Sequence, residues 1–144
     1  MSKGLGPDFG NTVGSRTEKT TEEAKKIALT SPFKIPKKAE ITTQQKSEYE
    51  QIKYNWNRGH YQYTSRWHTR TPNAPIDQGN TWVVERKVPG IGYGKNQRIA
   101  KHEILVGRYK WISIKEWREA ITAKKQGKAT KDQIKILDDG HWKE

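Results

Sequence analysis

The sequence predicts an α+β domain: a small antiparallel sheet of three to four strands, with one helix before it and two after. Two observations carry this. Apolar and polar residues alternate between His60 and Val106, the period of a strand. On either side the apolar residues return at helical spacing, behind Ser/Thr-x-x-Glu/Gln patterns that satisfy the free N–H groups of a helix start.

Residues 1–19 read as a flexible lead, with Gly4, Gly6, Gly10 and Gly14 among polar neighbours. Thr20-Thr-Glu-Glu23 is a capping box for a short helix carrying Ala24, Ile27 and Ala28. Ser31-Pro32 ends it, and the stretch to Lys38 reads as a basic linker. The reading therefore divides the chain into a basic lead, 1–39, and a compact domain, 40–144. Within that domain Thr42 and Gln45 suggest a second capping box, with Tyr49, Ile52 and Trp56 on one helical face and Gly59 as the stop.

From His60 the period falls to two. Tyr61 and Tyr63 point one way, His60, Gln62 and Thr64 the other. Thr71 to Pro75 and Gly79-Asn80 are turn material. Strands are expected over Thr81–Val88, Gln97–Val106 and Tyr109–Ile112, the first two joined by the glycine-rich Pro89–Gly94 loop. Ser113-Ile-Lys-Glu116 opens an amphipathic helix with Ile114, Trp117 and Ile121 on one side and Gly127 as its stop. Thr130-Lys-Asp-Gln133 opens the last, carrying Ile134 and Leu137.

Composition narrows the function. Of 144 residues, 28 are Lys or Arg and 16 are Asp or Glu, a net charge of +12. Only 24 are Leu, Ile, Val or Phe, few enough to suggest disorder, yet six Trp and six Tyr supply a core of large rings. Without cysteine there is no disulfide, thiol nucleophile or Cys-ligated zinc. No apolar run approaches the roughly 18 residues of a membrane span, and Met1–Gly14 lacks a secretory apolar stretch. The charge favours a polyanionic partner.

The densest cluster of candidate groups is Gly59 to Arg70, with His60, Arg66, His68 and Arg70 among aromatics. Cutting RNA without a metal needs a base for the 2′-OH, an acid for the leaving 5′-oxygen and cations at the phosphate. His moves protons near neutrality and Arg grips phosphate with its planar fork. Arg66, His68 and Arg70 alternate, so a strand would project them from one face; the plainer reading of the same pattern is a solvated sheet face. His102, in Lys101-His-Glu103, shares a strand face with Ala100, Ile104 and Val106. It is either a core histidine or the partner of His68 in acid–base work.

Asp77 with Glu85-Arg-Lys87 resembles the PD-(D/E)xK nuclease signature, whose acids hold a divalent metal while the lysine positions water. Its step is short, and Ile rather than Pro precedes Asp77. Residues 81–115 hold eight Lys or Arg against two Glu. There Trp82, Arg86, Lys87, Tyr93, Lys95, Arg98, Lys101, Tyr109, Lys110 and Trp111 interleave rings and cations, as in single-strand binding surfaces.

The stretches Arg66-Trp-His-Thr-Arg-Thr-Pro-Asn-Ala-Pro75, Gly79-Asn-Thr-Trp-Val-Val-Glu-Arg86 and Trp111-Ile-Ser-Ile-Lys-Glu-Trp117, with Gly140-His-Trp142, resemble C-terminal toxin domains of bacterial polymorphic toxins of the Rhs, WapA, LXG and contact-dependent inhibition types. The resemblance covers about residues 60–142 and fixes no subfamily. It implies a toxin carried at the C-terminus of a larger delivered protein, acting in the target-cell cytoplasm and neutralised by a cognate, acidic immunity protein. Many such domains fold like barnase, EndoU, colicin D or RelE and cut RNA without metal. The leading expectation is therefore a ribonuclease toxin, with tRNA among its substrates and no cofactor. A metal-dependent DNase using Asp77, Glu85 and Lys87, and a nucleic-acid-binding module without catalysis, stand beside it.

Overall fold

The structure is a computed structural model and describes residues 20–72, 74–92 and 99–144. Helix α1 (Thr21–Ala28) leads into a meander of six antiparallel strands: β1 (Glu40–Gln45), β2 (Glu50–Arg58), β3 (Tyr61–His68), β4 (Thr81–Val88), β5 (Lys101–Leu105) and β6 (Trp111–Ser113). Helices α2 (Ile114–Lys125) and α3 (Lys131–Gly140) follow, then a two-residue strand, β7 (Trp142–Lys143). One edge of β4 pairs with β3; the other is shared by β5, opposite Glu85–Val88, and β7, opposite Thr81 and Trp82. The α+β class stands, with a larger sheet than the expected three to four strands.

The additional strands come from residues 40–58, where the sequence suggested a helix. Tyr49, Ile52 and Trp56 fit a period of 3.6, but Ile52, Tyr54 and Trp56 fit a period of two, and all three of the latter are buried. Aromatic and β-branched side chains pack well on a pleated surface. The Thr42/Gln45 pattern sits inside β1 and caps nothing, while Lys46 N–H donates to Tyr49 C=O at 2.8 Å to close the β1–β2 turn. Gly59, at φ +60°, forms the β2–β3 turn rather than a helix stop.

The other capping signals hold. Thr20 and Thr130 each complete a capping box, with Glu23 and Gln133, and the Ser113 hydroxyl accepts from Glu116 N–H. Such motifs depend on neighbours in the chain and need no tertiary partner. Gly127, at φ +70°, follows the end of α2.

Cross-strand register divides the sheet into two unlike faces. One carries Ile52, Tyr54, Trp56, Tyr63, Trp67 and Trp82, all buried in one cluster. Residues 20–39 cover it: Ala24 is fully buried, and Ile27, Phe33 and Ile35 pack beside it. The Tyr54 hydroxyl donates to Ala24 C=O at 2.5 Å. Burial, with the Glu144 carboxylate nearby, pushes that hydroxyl's pKa up.

The opposite face is apolar only at one end, where Val83, Ile104, Val106 and Ile112 meet Trp117, Ala120 and Leu137 of α2 and α3. The two helices approach closely at Gly140, where a Cβ would collide with the Trp117 ring. Elsewhere this face is polar.

Candidate active site

The register places Lys53, Arg66 and Val83 in one cross-strand row, and Asn55, Thr64, Glu85 and Ile104 in the next. Opposed residues point to the same side, so β2 to β5 share one face, polar at Lys53, Asn55, Thr64, Arg66 and Glu85 and apolar at Val83 and Ile104. Arg66, Glu85 and His102 converge on it from β3, β4 and β5. Arg66 Nη2 donates to Glu85 Oε2 at 2.6 Å. His102 Nε2 lies 3.4 Å from Glu85 Oε1 but out of hydrogen-bond alignment.

Both approaches leave capacity unused: Arg66 Nε and His102 Nε2 are buried without a hydrogen-bond partner among the described residues. An unpaired buried polar group costs about 1–3 kcal/mol, a cost that structural groups normally avoid. The side chains remain reachable, 30% exposed at Arg66, 17% at Glu85 and 31% at His102. A carboxylate, an imidazole and a guanidinium within contact of one another can remove a proton, supply one and hold a phosphate.

Arg66, His68 and Arg70 were expected to act together. Arg66 and His68 share the polar face, but Arg70 lies beyond the end of β3. Its guanidinium donates to the carbonyls of Pro72, Ala74 and Pro75, so it braces a turn whose carbonyls lack partners in a ladder. His68 has both ring nitrogens near hydroxyl or carbonyl partners, Thr81 Oγ1 and Thr69 O, each at 3.2 Å. Burial is the main cause holding its pKa below the ordinary 6.5, with Arg66 adding repulsion. His60 is exposed in the β2–β3 turn, about 25 Å of extended chain from His68; the two are not brought together.

His141 was not among the expected groups, because nothing local marks it. It follows α3, donates from Nδ1 to Leu137 C=O at 2.7 Å and lies against Trp117, ring centroids 5.0 Å apart. Burial lowers its pKa, and His68 is close enough to repel its charge.

The expected single-strand surface separates into parts. Trp82 is corrected to the core: it is fully buried beneath α1 and its indole N–H donates to Thr30 Oγ1 at 3.0 Å. Arg86 is corrected to a structural cation, with Tyr61 and Trp111 ring centroids 4.4 and 4.1 Å from its guanidinium carbon and Glu103 Oε1 at 3.0 Å. That stacking also engages Trp111. Lys87, Lys101, Tyr109 and Lys110 are exposed. Tyr93, Lys95 and Arg98 lie outside the described residues. Asp77 is exposed on a 3-10 turn, Ile76–Gln78, whereas both oxygens of Glu85 face Arg66 and His102. Among the described residues no three His, Asp or Glu side chains are grouped to hold a metal, and no helix is long and apolar enough to cross a membrane.

Two hollows adjoin the trio. One, of about 740 Å³, is lined by Gln62, Lys87, Lys101, His102 and Lys115. The other, of about 400 Å³, is lined by Glu40, Asn55, Asn57, Gln62, Thr64 and Lys87. Gln62 and Lys87 border both. The amides were missed in the sequence, although two Asn in one strand are a signal, since strands disfavour Asn. No protein family, curated protein or solved structure matches the chain.

Proposed function

We propose that the protein is a metal-independent ribonuclease, and that it is the toxin domain of a larger bacterial protein delivered into the cytoplasm of a competing cell. A cognate, acidic immunity protein is the partner proposed to neutralise it. The catalytic part rests on one observation: the Arg66–Glu85–His102 trio on the open polar face. The toxin part rests on the resemblance carried by residues 66–86, 111–117 and 140–142.

In this reading Glu85 takes the proton from a ribose 2′-OH as that oxygen attacks the neighbouring phosphorus. The bond to the 5′-oxygen breaks, His102 protonates the departing oxygen, and a 2′,3′-cyclic phosphate remains. Arg66 spreads its donors toward the phosphate, where negative charge develops on the non-bridging oxygens. Lys87, Lys101 and Lys115 border the hollow at His102 and draw the polyanion in.

Incubation with transfer RNA, total RNA and plasmid DNA, with and without EDTA, tests the reading. RNA cleavage persisting in EDTA is expected, with Glu85→Gln and His102→Gln each lowering it about 10²–10⁴-fold. Cleavage of DNA only with magnesium, binding without cleavage, or full activity in both variants overturns it.

A further inference from the structure

We infer that the hollow between β1, β2 and β3 is a nucleobase pocket that selects guanine beside the scissile phosphate. The inference rests on the ribonuclease reading and adds the substrate's base identity.

Its volume, about 400 Å³, falls in the range of small-molecule sites, roughly 300–1,000 Å³. The register puts Glu40 opposite Asn55, and Asn57 opposite Gln62, all on the face that carries the trio. Thr64 Oγ1 lies 2.7 Å from Asn55 Oδ1 and donates to it, which fixes the amide and leaves its Nδ2 donors for another partner. The Glu40, Asn57, Gln62 and Lys87 side chains make no hydrogen bond or ion pair among the described residues.

Lysines alone would serve phosphates, which carry no base identity. Amides and a carboxylate read donor and acceptor patterns on base edges. A carboxylate only accepts, and guanine alone presents two adjacent N–H donors, N1 and N2, on its pairing edge. The O6 acceptor beside them suits an amide or lysine donor, which Asn57, Gln62 and Lys87 supply. Adenine and cytosine each set an acceptor next to a single amino group, and uracil has one donor between two acceptors. Each of these leaves Glu40 short of a partner or facing an acceptor.

The pocket also lies at a suitable distance. Gln62 and Lys87 border both hollows, so a base in one adjoins a phosphate at His102 in the other. Lys87 stands two residues beyond Glu85 on the same face, about 7 Å along the strand, comparable with one nucleotide step.

The test uses four DNA oligonucleotides, each with one ribonucleotide (G, A, C or U) supplying the only cleavable bond. The wild-type protein is expected to favour the guanosine substrate by about tenfold or more in kcat/KM. Glu40→Gln is expected to bring that preference within about threefold, mainly through KM, and Asn57→Ala to weaken it less. Guanosine monophosphate, titrated into the uncleaving Glu85→Gln variant and followed by NMR, is expected to shift the Asn55 and Asn57 amide signals more than the other three nucleotides do. Equal cleavage of all four substrates, or a preference that Glu40→Gln and Asn57→Ala leave intact, overturns the pocket while the ribonuclease reading survives. Failure to cleave any of the four substrates or natural RNA, with no selective shift by the guanine nucleotide, overturns both.

Discussion

The sheet holds two arginine–carboxylate pairs of nearly equal exposure, on opposite faces, and they differ in what surrounds them. The Arg86 guanidinium lies over the rings of Tyr61 and Trp111 and donates from Nε to Glu103 Oε1 at 3.0 Å. Arg66 and Glu85 lie on the polar face beside His102, with Nε unpaired. The same chemical pair thus serves as a packed strut in one place and, in the proposed reading, as a reactive group in the other. What distinguishes them is the imidazole beside Glu85 and the buried Arg66 Nε without a partner among the described residues.

Removing each arginine in turn should separate the two roles most widely. Arg66→Ala is expected to reduce RNA cleavage by about 10²–10³-fold, the cost of losing one donor at the developing charge. Its effect on unfolding free energy should be about 1 kcal/mol, because His102 remains beside Glu85 and the pair is partly solvated. Arg86→Ala should do the reverse. It empties the slot between two rings and strands Glu103, at about 2–4 kcal/mol, while cleavage by the folded fraction stays near wild type. Denaturant unfolding and single-turnover cleavage on the same preparations measure both. Equal effects of the two substitutions on either quantity would remove the distinction.

Acid should expose a further difference between the faces, since the half-buried histidines His68 and His141 belong to the polar side and the adjoining helices. Their folded pKa values lie below the ordinary 6.5, chiefly through burial. Below about pH 6.5 the unfolded chain therefore binds more protons than the folded one, and stability falls with pH until the folded values are passed. Above that window this contribution is fully present and constant. The melting temperature is expected to drop between pH 7 and pH 5 and to drop less in the His68→Gln, His141→Gln double variant, by about the contribution of two titrating groups. An identical pH slope in wild type and double variant would show that neither imidazole resists protonation.

These contrasts explain which features could be read from the chain. Thr20, Ser113 and Thr130 mark helix starts because the bonds they make are three residues away. Strand β2 was obscured because Ile52 and Trp56 fit both periods, Tyr49 completing the helical set and Tyr54 the alternating one; the choice is made by pairing with β3, Ile52 opposite Trp67 and Trp56 opposite Tyr63, which no local window contains. The trio was legible in two of its members. Arg66 and His102 stood out as residue types, but the carboxylate joining them read as part of a metal signature, since Asp77 and Lys87 were its neighbours in sequence. Only the β3–β4–β5 meander sets Glu85 between an arginine and a histidine from the adjoining strands. Arg70 followed the alternation of β3 on paper, and the end of the strand after His68 turned it to a different task.

The smallest effect concerns a residue that belongs to neither face. Tyr109, at the turn between β5 and β6, is 84% exposed and has φ +63°. A left-handed conformation costs a residue with a Cβ about 1–2 kcal/mol relative to one without, and this ring recovers little of that through packing. Among the described residues its ring meets Arg108, whose guanidinium carbon is 5.4 Å from the ring centroid, an exposed cation–π contact worth about 0.5–1 kcal/mol. Glycine relieves the strain but gains freedom in the unfolded chain, which offsets part of the benefit. Tyr109→Gly should therefore stabilise the fold by about 0.5 kcal/mol, whereas Tyr109→Ala, keeping the strain and losing the ring contact, should destabilise it by a similar amount. Denaturant midpoints at constant m-value distinguish the two signs. Destabilisation by both would mean that the ring, and not the backbone, decides this turn's energy.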